Sequence, residues 1–349
     1  MAYNAVGTPR IFVDSFLWLR SLGIGYPRTN DDGSVEDVFT LNPANVTEWG
    51  NGGGTKTNFY FDYDGLPDSG VDLGKIGYIA YLGHNVTDGA TLGHRLSFRF
   101  KSDGTGATAE NLHDHIQSEE IVDNINYGNT GSHLKATDYA GFSMLVFNID
   151  ASTFKNTTAA NFRLEYTNRF KIGCASIGTV YNFPHSPDLK LSLTYETGTK
   201  TIETKGGASL SNTMWRPPMW GDLAAWELSN PDTPTTNQKL AHSSRRAWDL
   251  NFSYLDKTNT FPKYNALNRY SNEALDSDDL LLTEEETLLD SSDFFSQVWN
   301  KVGSAYPFIF QPDNSVNEFA ICKFDMKNIK FTQVANGVYN IKLKIREVW

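Results

Sequence analysis

Five short stretches carry side chains whose types and spacing could do chemistry. In "LHDHI" (112–116), His113 and His115 flank Asp114. On a strand, residues i and i+2 share a face, an arrangement that zinc ligands use. No third ligand stands at a partner spacing, so the stretch reads as a solvated loop and no metal is expected. In "DYDGLPDSGVD" (62–72), Asp62, Asp64, Asp68 and Asp72 occupy a glycine-broken loop. Carboxylate oxygens are what calcium takes, but the EF-hand spacing and its closing glutamate are missing. In "LGHNV" (82–86), His84 and Asn85 stand at a strand end. A catalytic histidine needs a nucleophile and an orienting carboxylate, and no G-x-S-x-G motif is present. Asp62, Asp64, Asp68, Asp72, His84 and Asn85 together form a candidate glycan or calcium loop. "GNGGGTKT" (50–57) lacks the G-x-x-x-x-G-K-[ST] spacing of a phosphate loop, although Lys56 and Thr57 follow its glycines. No cofactor is therefore expected.

The fifth stretch is aromatic. "NTMWRPPMWGDLAAWEL" (212–228) gathers Trp215, Trp220 and Trp226 around two prolines. Proline stiffening lowers the entropy lost on docking, which suits a loop that anchors a neighbour. Core burial, a subunit interface and sugar stacking remain open for these three. With Trp349, they are the candidate interface anchors. Paired carboxylates for glycoside hydrolysis come from distant segments and leave no local signature, so no catalytic residue is nominated.

Composition narrows the classes further. The 349 residues allow two domains or one large β-domain with insertions. With 40% hydrophobic and 20% charged residues the chain is globular, not disordered. Aromatics reach 13%, and such residues favour pleated surfaces and interface anchoring. Lys and Arg number 30 against 41 Asp and Glu, a net charge of −11. That argues against a nucleic-acid binder, because no basic excess exists to drive counterion release. No run approaches the ~20 apolar residues of a membrane span, and the start "MAYNAVGTPRIF" lacks the plan of a signal peptide. Cys174 and Cys322, both in apolar strand-like contexts, read as buried free thiols in a reducing cytoplasm.

The elements that must position these residues read as mainly β. "PRIFVDSFLWLRSLGIG" is ambiguous, since Phe12, Phe16, Leu19 and Leu22 approach helical spacing while "RIFVDSF" equally suits a strand. Strands are expected at 75–86, 94–100, 141–150, 161–168 and 170–183, the pattern of a β-sandwich, with a polar lobe over 101–140. "LKLSLTYETGTKTIETKGGASLS" alternates, with a glycine turn before "KTIETK". "RAWDLNFSYL" sets Trp248, Leu250, Phe252 and Tyr254 on one face. Residues 283–302 predict a helix capped by Thr283, with Glu286 in capping-box spacing and a stripe of Leu288, Leu289, Phe295, Val298, Trp299 and Val302. The final "VYNIKLKIREVW" sets Tyr339, Ile341, Leu343 and Ile345 against Val338, Asn340 and Lys342, a strand able to pair with its own sheet or a neighbour's. The fold expected is a jelly-roll-like β-sandwich plus a second β-domain carrying one helix. Its divisions are an N-terminal segment 1–34, the sandwich 35–190, and the C-terminal β-domain 191–349 with an acidic helical insertion at about 275–302.

Two blocks carry a resemblance. "GKIGYIAYLGHNVTDGATLGHRLSFRF" (74–100) and "RFKIGCASIGTVYNFPHSPDLKLSLTYE" (169–196) resemble the opening and closing strands of galactose-binding-like jelly-roll modules in tailed-phage structural proteins. "RRAWDLNFSYLD", "FFSQVWNKVGSAYPFIFQPD", "FAICKFD" and "FTQVANGVYNIKLKIREVW" look like the β-domain of phage tail and baseplate proteins. The opening "MAYNAVGTPRIFVDSFLWLRSLG" also looks like virion proteins of marine phages. The resemblance implies a non-enzymatic virion part, assembled in host cytoplasm, whose partners are other virion proteins and copies of itself. It implies a tail, tail-tip or baseplate component acting as a multi-copy assembly unit, with no nucleic-acid or membrane partner. Two alternatives stand beside it: a host-surface glycan-binding module of the tail, and a polysaccharide depolymerase.

Overall fold

The structure is a computed structural model. It describes residues 6–23, 25–29, 35–42, 45–49, 56–63, 77–83, 93–102, 106–111, 116–122, 125–126, 132–134, 142–149, 157–165, 170–189, 191–196, 199–213, 245–263, 288, 291–315 and 319–348. The chain is mainly β, with large antiparallel sheets and few helices.

In chain order the strands are β1 (Arg10–Asp14), β2 (Gly25–Thr29), β3 (Thr47–Trp49), β4 (Lys56–Tyr63), β5 (Tyr78–Leu82), β6 (Gly93–Ser102) and β7 (Gly106–Asn111). Next come β8 (Ile116–Val122), β9 (Ile125–Asn126), β10 (Ser132–Leu134), β11 (Phe142–Ile149), β12 (Thr157–Glu165), β13 (Phe170–Ile172) and β14 (Cys174–Asn182). The last are β15 (Ser192–Glu196), β16 (Thr199–Glu203), β17 (Ser209–Thr213), β18 (Arg245–Asp256), β19 (Phe308–Gln311), β20 (Ala320–Phe324), β21 (Phe331–Ala335) and β22 (Val338–Glu347). An 11-stranded sheet runs β15-β18-β22-β20-β19-β1-β14-β5-β11-β8, with β21 beside β22. A 7-stranded sheet runs β2-β4-β12-β6-β10-β9, with β7 beside β6. Segments 1–34, 35–190 and 191–349 all contribute strands to the larger sheet.

The N-terminal strand occupies the middle of that sheet. β1 pairs with β14 on one side and β19 on the other, with Phe12 opposite both Val180 and Ile309. Ile11, Phe12 and Val13 are fully buried, as is every residue of β5. Strands covered on both faces lose alternation and become continuous apolar runs. The ambiguity of residues 9–24 resolves as both readings in series. The strand stops at Asp14, and α1 (Ser15–Ser21) starts there because the Asp14 carboxylate accepts from the Phe16 and Leu17 N–H groups.

Two expectations need correction. The polar stretch 101–140 holds strands β7 to β10, and β8 closes one end of the large sheet against β11. Backbone pairing, rather than apolar content, makes these strands. The glycine turn expected before "KTIETK" falls at residues 197–198, outside the described residues. β16 pairs with β17 across Lys205-Gly206-Gly207, where Gly207 takes φ +80°. Thr283 and Glu284–Glu286 lie outside the described residues. The described helical turns begin at Phe294, where the Asp293 carboxylate accepts from the Ser296 N–H, and include a π-turn at Phe295–Trp299 before Asn300–Val302. Phe294, Val298 and Val302 enter the core as an apolar stripe should, but Ser296, Gln297 and Lys301 are buried as well.

Candidate functional site

Trp215, Trp220, Trp226, Trp349, Asp64, Asp68, Asp72, His84 and Asn85 lie outside the described residues, as do His113 and His115. Asp62 stands in β4 between Ala159 of β12 and Tyr26 of β2. Lys56 and Thr57 open β4, so the glycine stretch before them leads into a strand and not into a phosphate-binding helix. Among the described residues, no group of three His, Cys, Asp or Glu side chains could hold a metal ion.

The described residues bring three other arrangements together. The first surrounds the β1–α1 junction. Asp14 is 2% exposed, and its Oδ1 accepts from Phe16 N and Leu17 N, each at 2.9 Å. Its Oδ2 has no hydrogen-bond partner. Burial pushes this carboxyl up to about 7, against the pull of the Leu17 N–H, the nearby Ser176 hydroxyl and the Phe16 N–H. On the facing strands, Tyr78 Oη and Ser176 Oγ share a hydrogen bond of 2.7 Å. Burial and the Asp14 charge raise the Tyr78 hydroxyl and the Cys174 thiol well above their ordinary values. The group can hold a proton near neutrality. It does not activate a nucleophile, because a thiol held protonated is inert.

The second is an ion pair inside the C-terminal half of the sheet. Arg246 Nε lies 3.3 Å from Glu347 Oε2, which also accepts from the Arg246 backbone N–H at 3.0 Å. The guanidinium stands 5.1 Å from the Trp248 ring centroid and donates to Phe319 O at 3.5 Å. Both charges are buried and matched, a structural arrangement rather than a reactive one.

The third is a surface. Among the described residues the exposed large hydrophobics are Leu22, Tyr26, Leu189, Tyr195, Ile202, Leu210, Tyr254 and Val334. Five of these eight stand on β15, on the segment before it, on the separate β16–β17 hairpin and on β18. Asp188 ties that segment to β18 through its N–H to Asn251 O (2.8 Å) and through the Ser253 hydroxyl (2.7 Å). Tyr254 follows at φ +61°, in a bulge between Phe252 and Leu255. In the hairpin, Ile202 stands directly opposite Leu210, and every residue of β16 is exposed. β15 is the terminal strand of the large sheet.

No family model matches the chain, and no curated protein does. Among solved structures, a DUF4466 family protein from Parabacteroides merdae is similar at 10% identity and a TM-score of 0.20, over 93% of this chain and 99% of that one. A likeness at that level carries no argument.

Sequence reasoning missed the Asp14 junction and the β15 edge for different reasons. A buried carboxylate has no local signature, although an aspartate between a strand pattern and a helix pattern is a cap signal. The exposed apolar set was hidden because alternation marks two faces without saying which meets solvent.

Proposed function

We propose that this chain is a structural component of a phage particle, in the tail, tail-tip or baseplate, and that it acts as a multi-copy assembly unit. Its partners are copies of itself and other virion proteins, and it assembles in host cytoplasm and works in the virion. The observation that carries the reading is the set of exposed apolar side chains along neighbouring stretches of the chain: Leu189 and Tyr195 at the terminal strand β15 of a large antiparallel sheet, Ile202 and Leu210 on the β16–β17 hairpin, and Tyr254 on β18. Exposed large apolar side chains on sheet and hairpin surfaces are what a subunit contact would cover. The jelly-roll and tail-domain resemblance and the aromatic content support the same reading.

Negative-stain electron microscopy of the purified full-length chain, paired with a glycan array, tests it. Closed oligomers or rings of uniform size, without retained glycan, are the expected result. Dispersed single chains that retain a specific glycan would overturn it in favour of a sugar-binding module.

A further inference from the structure

We propose that the surface of β18 and β22 around Tyr254 docks an acidic surface of another protein, with the Tyr254 ring as anchor and Lys257, Lys330 and Lys342 beside it. The partner's place among other virion proteins rests on the assembly reading, whereas the surface itself is argued from geometry and charge. Residues 245–263 and 319–348, which build it, are each described without a break. Tyr254 is 78% exposed and sits at φ +61°, a left-handed conformation that a side chain disfavours. Its backbone is held there by the Asn340 side chain, whose Oδ1 accepts from the Tyr254 N–H at 2.9 Å. The fold therefore keeps a strained residue in place while leaving its ring in solvent.

Three lysines stand close by. Lys342 lies two residues beyond Asn340 on β22, a spacing that puts both on one face. Phe331 of β21 is opposite Ile341, which brings Lys330 level with Lys342 on the next strand. The Lys257 N–H donates to Gly337 O at 2.7 Å, at the turn joining β21 to β22. All three lysines are exposed, and among the described residues none enters an ion pair. The acids nearby are engaged elsewhere: Asp325 with Lys344 at 3.1 Å, Glu347 with Arg246, and Asp256 with the N–H and hydroxyl of Thr258. Residues 319–349 carry six Lys and Arg against two acids, +4 in a chain of −11, so the other residues carry −15. A cationic face on an acidic chain is complementary to carboxylates and steers an acidic partner to this one place. An aromatic anchor with a charged rim is the make-up of an interface hot spot. Lysine ammoniums on flexible stems suit carboxylates spread over a protein surface, whereas phosphate recognition favours the arginine fork. The −15 carried elsewhere also repels a long phosphate chain.

Fluorescence anisotropy of labelled poly-L-glutamate titrated with the full-length protein tests the proposal, with labelled duplex DNA and heparin run in parallel. Poly-glutamate should bind, more weakly as salt rises. Lys330→Glu combined with Lys342→Glu should weaken binding at least about tenfold. Tyr254→Gly should weaken it at least about tenfold as well, while raising the thermal unfolding midpoint because glycine accepts the left-handed conformation. Lys200→Glu combined with Lys205→Glu, the same change of net charge on the β16–β17 hairpin, should leave binding unchanged. Equal losses in the two double variants would mean that only net charge acts, and would overturn the docking surface, as would no binding of poly-glutamate at all. Tighter binding of duplex DNA or heparin, lost in the Lys330 and Lys342 double variant, would overturn the acidic-protein partner in favour of a phosphate or sulfate polymer. The mass of every variant by light scattering should equal that of the wild type, so a failure here leaves the assembly reading standing. A monomeric wild type that still binds poly-glutamate through these residues overturns the assembly reading and supports this surface.

Discussion

Asp14 does two things that pull against each other. Its carboxylate caps α1, which favours the charged form, and its burial favours the neutral one. The folded value of about 7 lies above the ordinary 3.8, so between those limits the folded protein binds a proton that the unfolded chain releases. Stability from this group is therefore complete below pH 3.8 and is lost as pH rises to about 7, amounting to about 4 kcal/mol. Asp14→Asn keeps a capping oxygen without a charge. Denaturant unfolding at pH 5 and pH 8 should show the variant more stable than wild type at pH 8, with a smaller difference between the two pH values. An unchanged pH dependence would show that Asp14 does not hold the proton. Across from it, an added Cβ at Gly178 would lie 1.8 Å from Val13 O and 2.7 Å from Ser15 N. Both contacts are backbone, which cannot move aside cheaply. Gly178→Ala should lower unfolding free energy by about 3 kcal/mol, read from the same denaturant curves. Gly178 carried no signal in the sequence, and Asp14 carried only that of a helix cap. "VDSF" fits a strand and a helix equally, and only the capping hydrogen bonds decide where one becomes the other.

At the scale of elements, β18 and β22 show what alternation can and cannot deliver. Trp248, Leu250 and Phe252 face the core, and Ile341, Leu343 and Ile345 match them from β22, as the period-two pattern requires. Tyr254 continues the pattern in sequence yet is 78% exposed, because the bulge hands its inward place to Leu255. An inserted residue shifts every later side chain by one face, and nothing in the composition of "FSYLD" announces it. The helix near residue 300 misleads in the opposite sense. Gln297 and Lys301 look like its solvent face but are buried, with Lys301 Nζ donating to Gln297 Oε1 at 3.1 Å and lying 5.5 Å from the Trp18 ring. Arg246 and Glu347, about a hundred residues apart, meet only because β18 and β22 pair. Glu347→Gln keeps the shape and leaves the guanidinium uncompensated, so it should lower unfolding free energy by about 3–5 kcal/mol. Arg246→Met combined with Glu347→Leu should recover most of that loss. A double variant as unstable as the single one would mean that packing, not charge matching, sets the effect.

For the whole molecule, the mainly β class was legible and the arrangement of the strands was not. Short alternating runs separated by polar turns give the class directly. They carry no information on partners far away in the chain, so "RIFVD" gave no sign that it would sit between β14 and β19 at the centre of an 11-stranded sheet. Burial on both faces follows from that central place, and so does the loss of alternation that left the segment ambiguous. The outer end of the same sheet is where the proposed function lies. Exposed apolar side chains stand on its terminal strand β15 and on the segment before it, and the net charge of −11 makes self-association sensitive to salt. The central claim is that this chain is built to be one of several identical parts. Its most direct test is the mass of the purified full-length protein by size-exclusion chromatography with light scattering, over a wide range of concentration and at two salt levels. The account predicts a discrete multiple of 39.0 kDa that persists on dilution and strengthens as salt screens the −11 charge. A uniform 39.0 kDa particle at every concentration and both salt levels would contradict it.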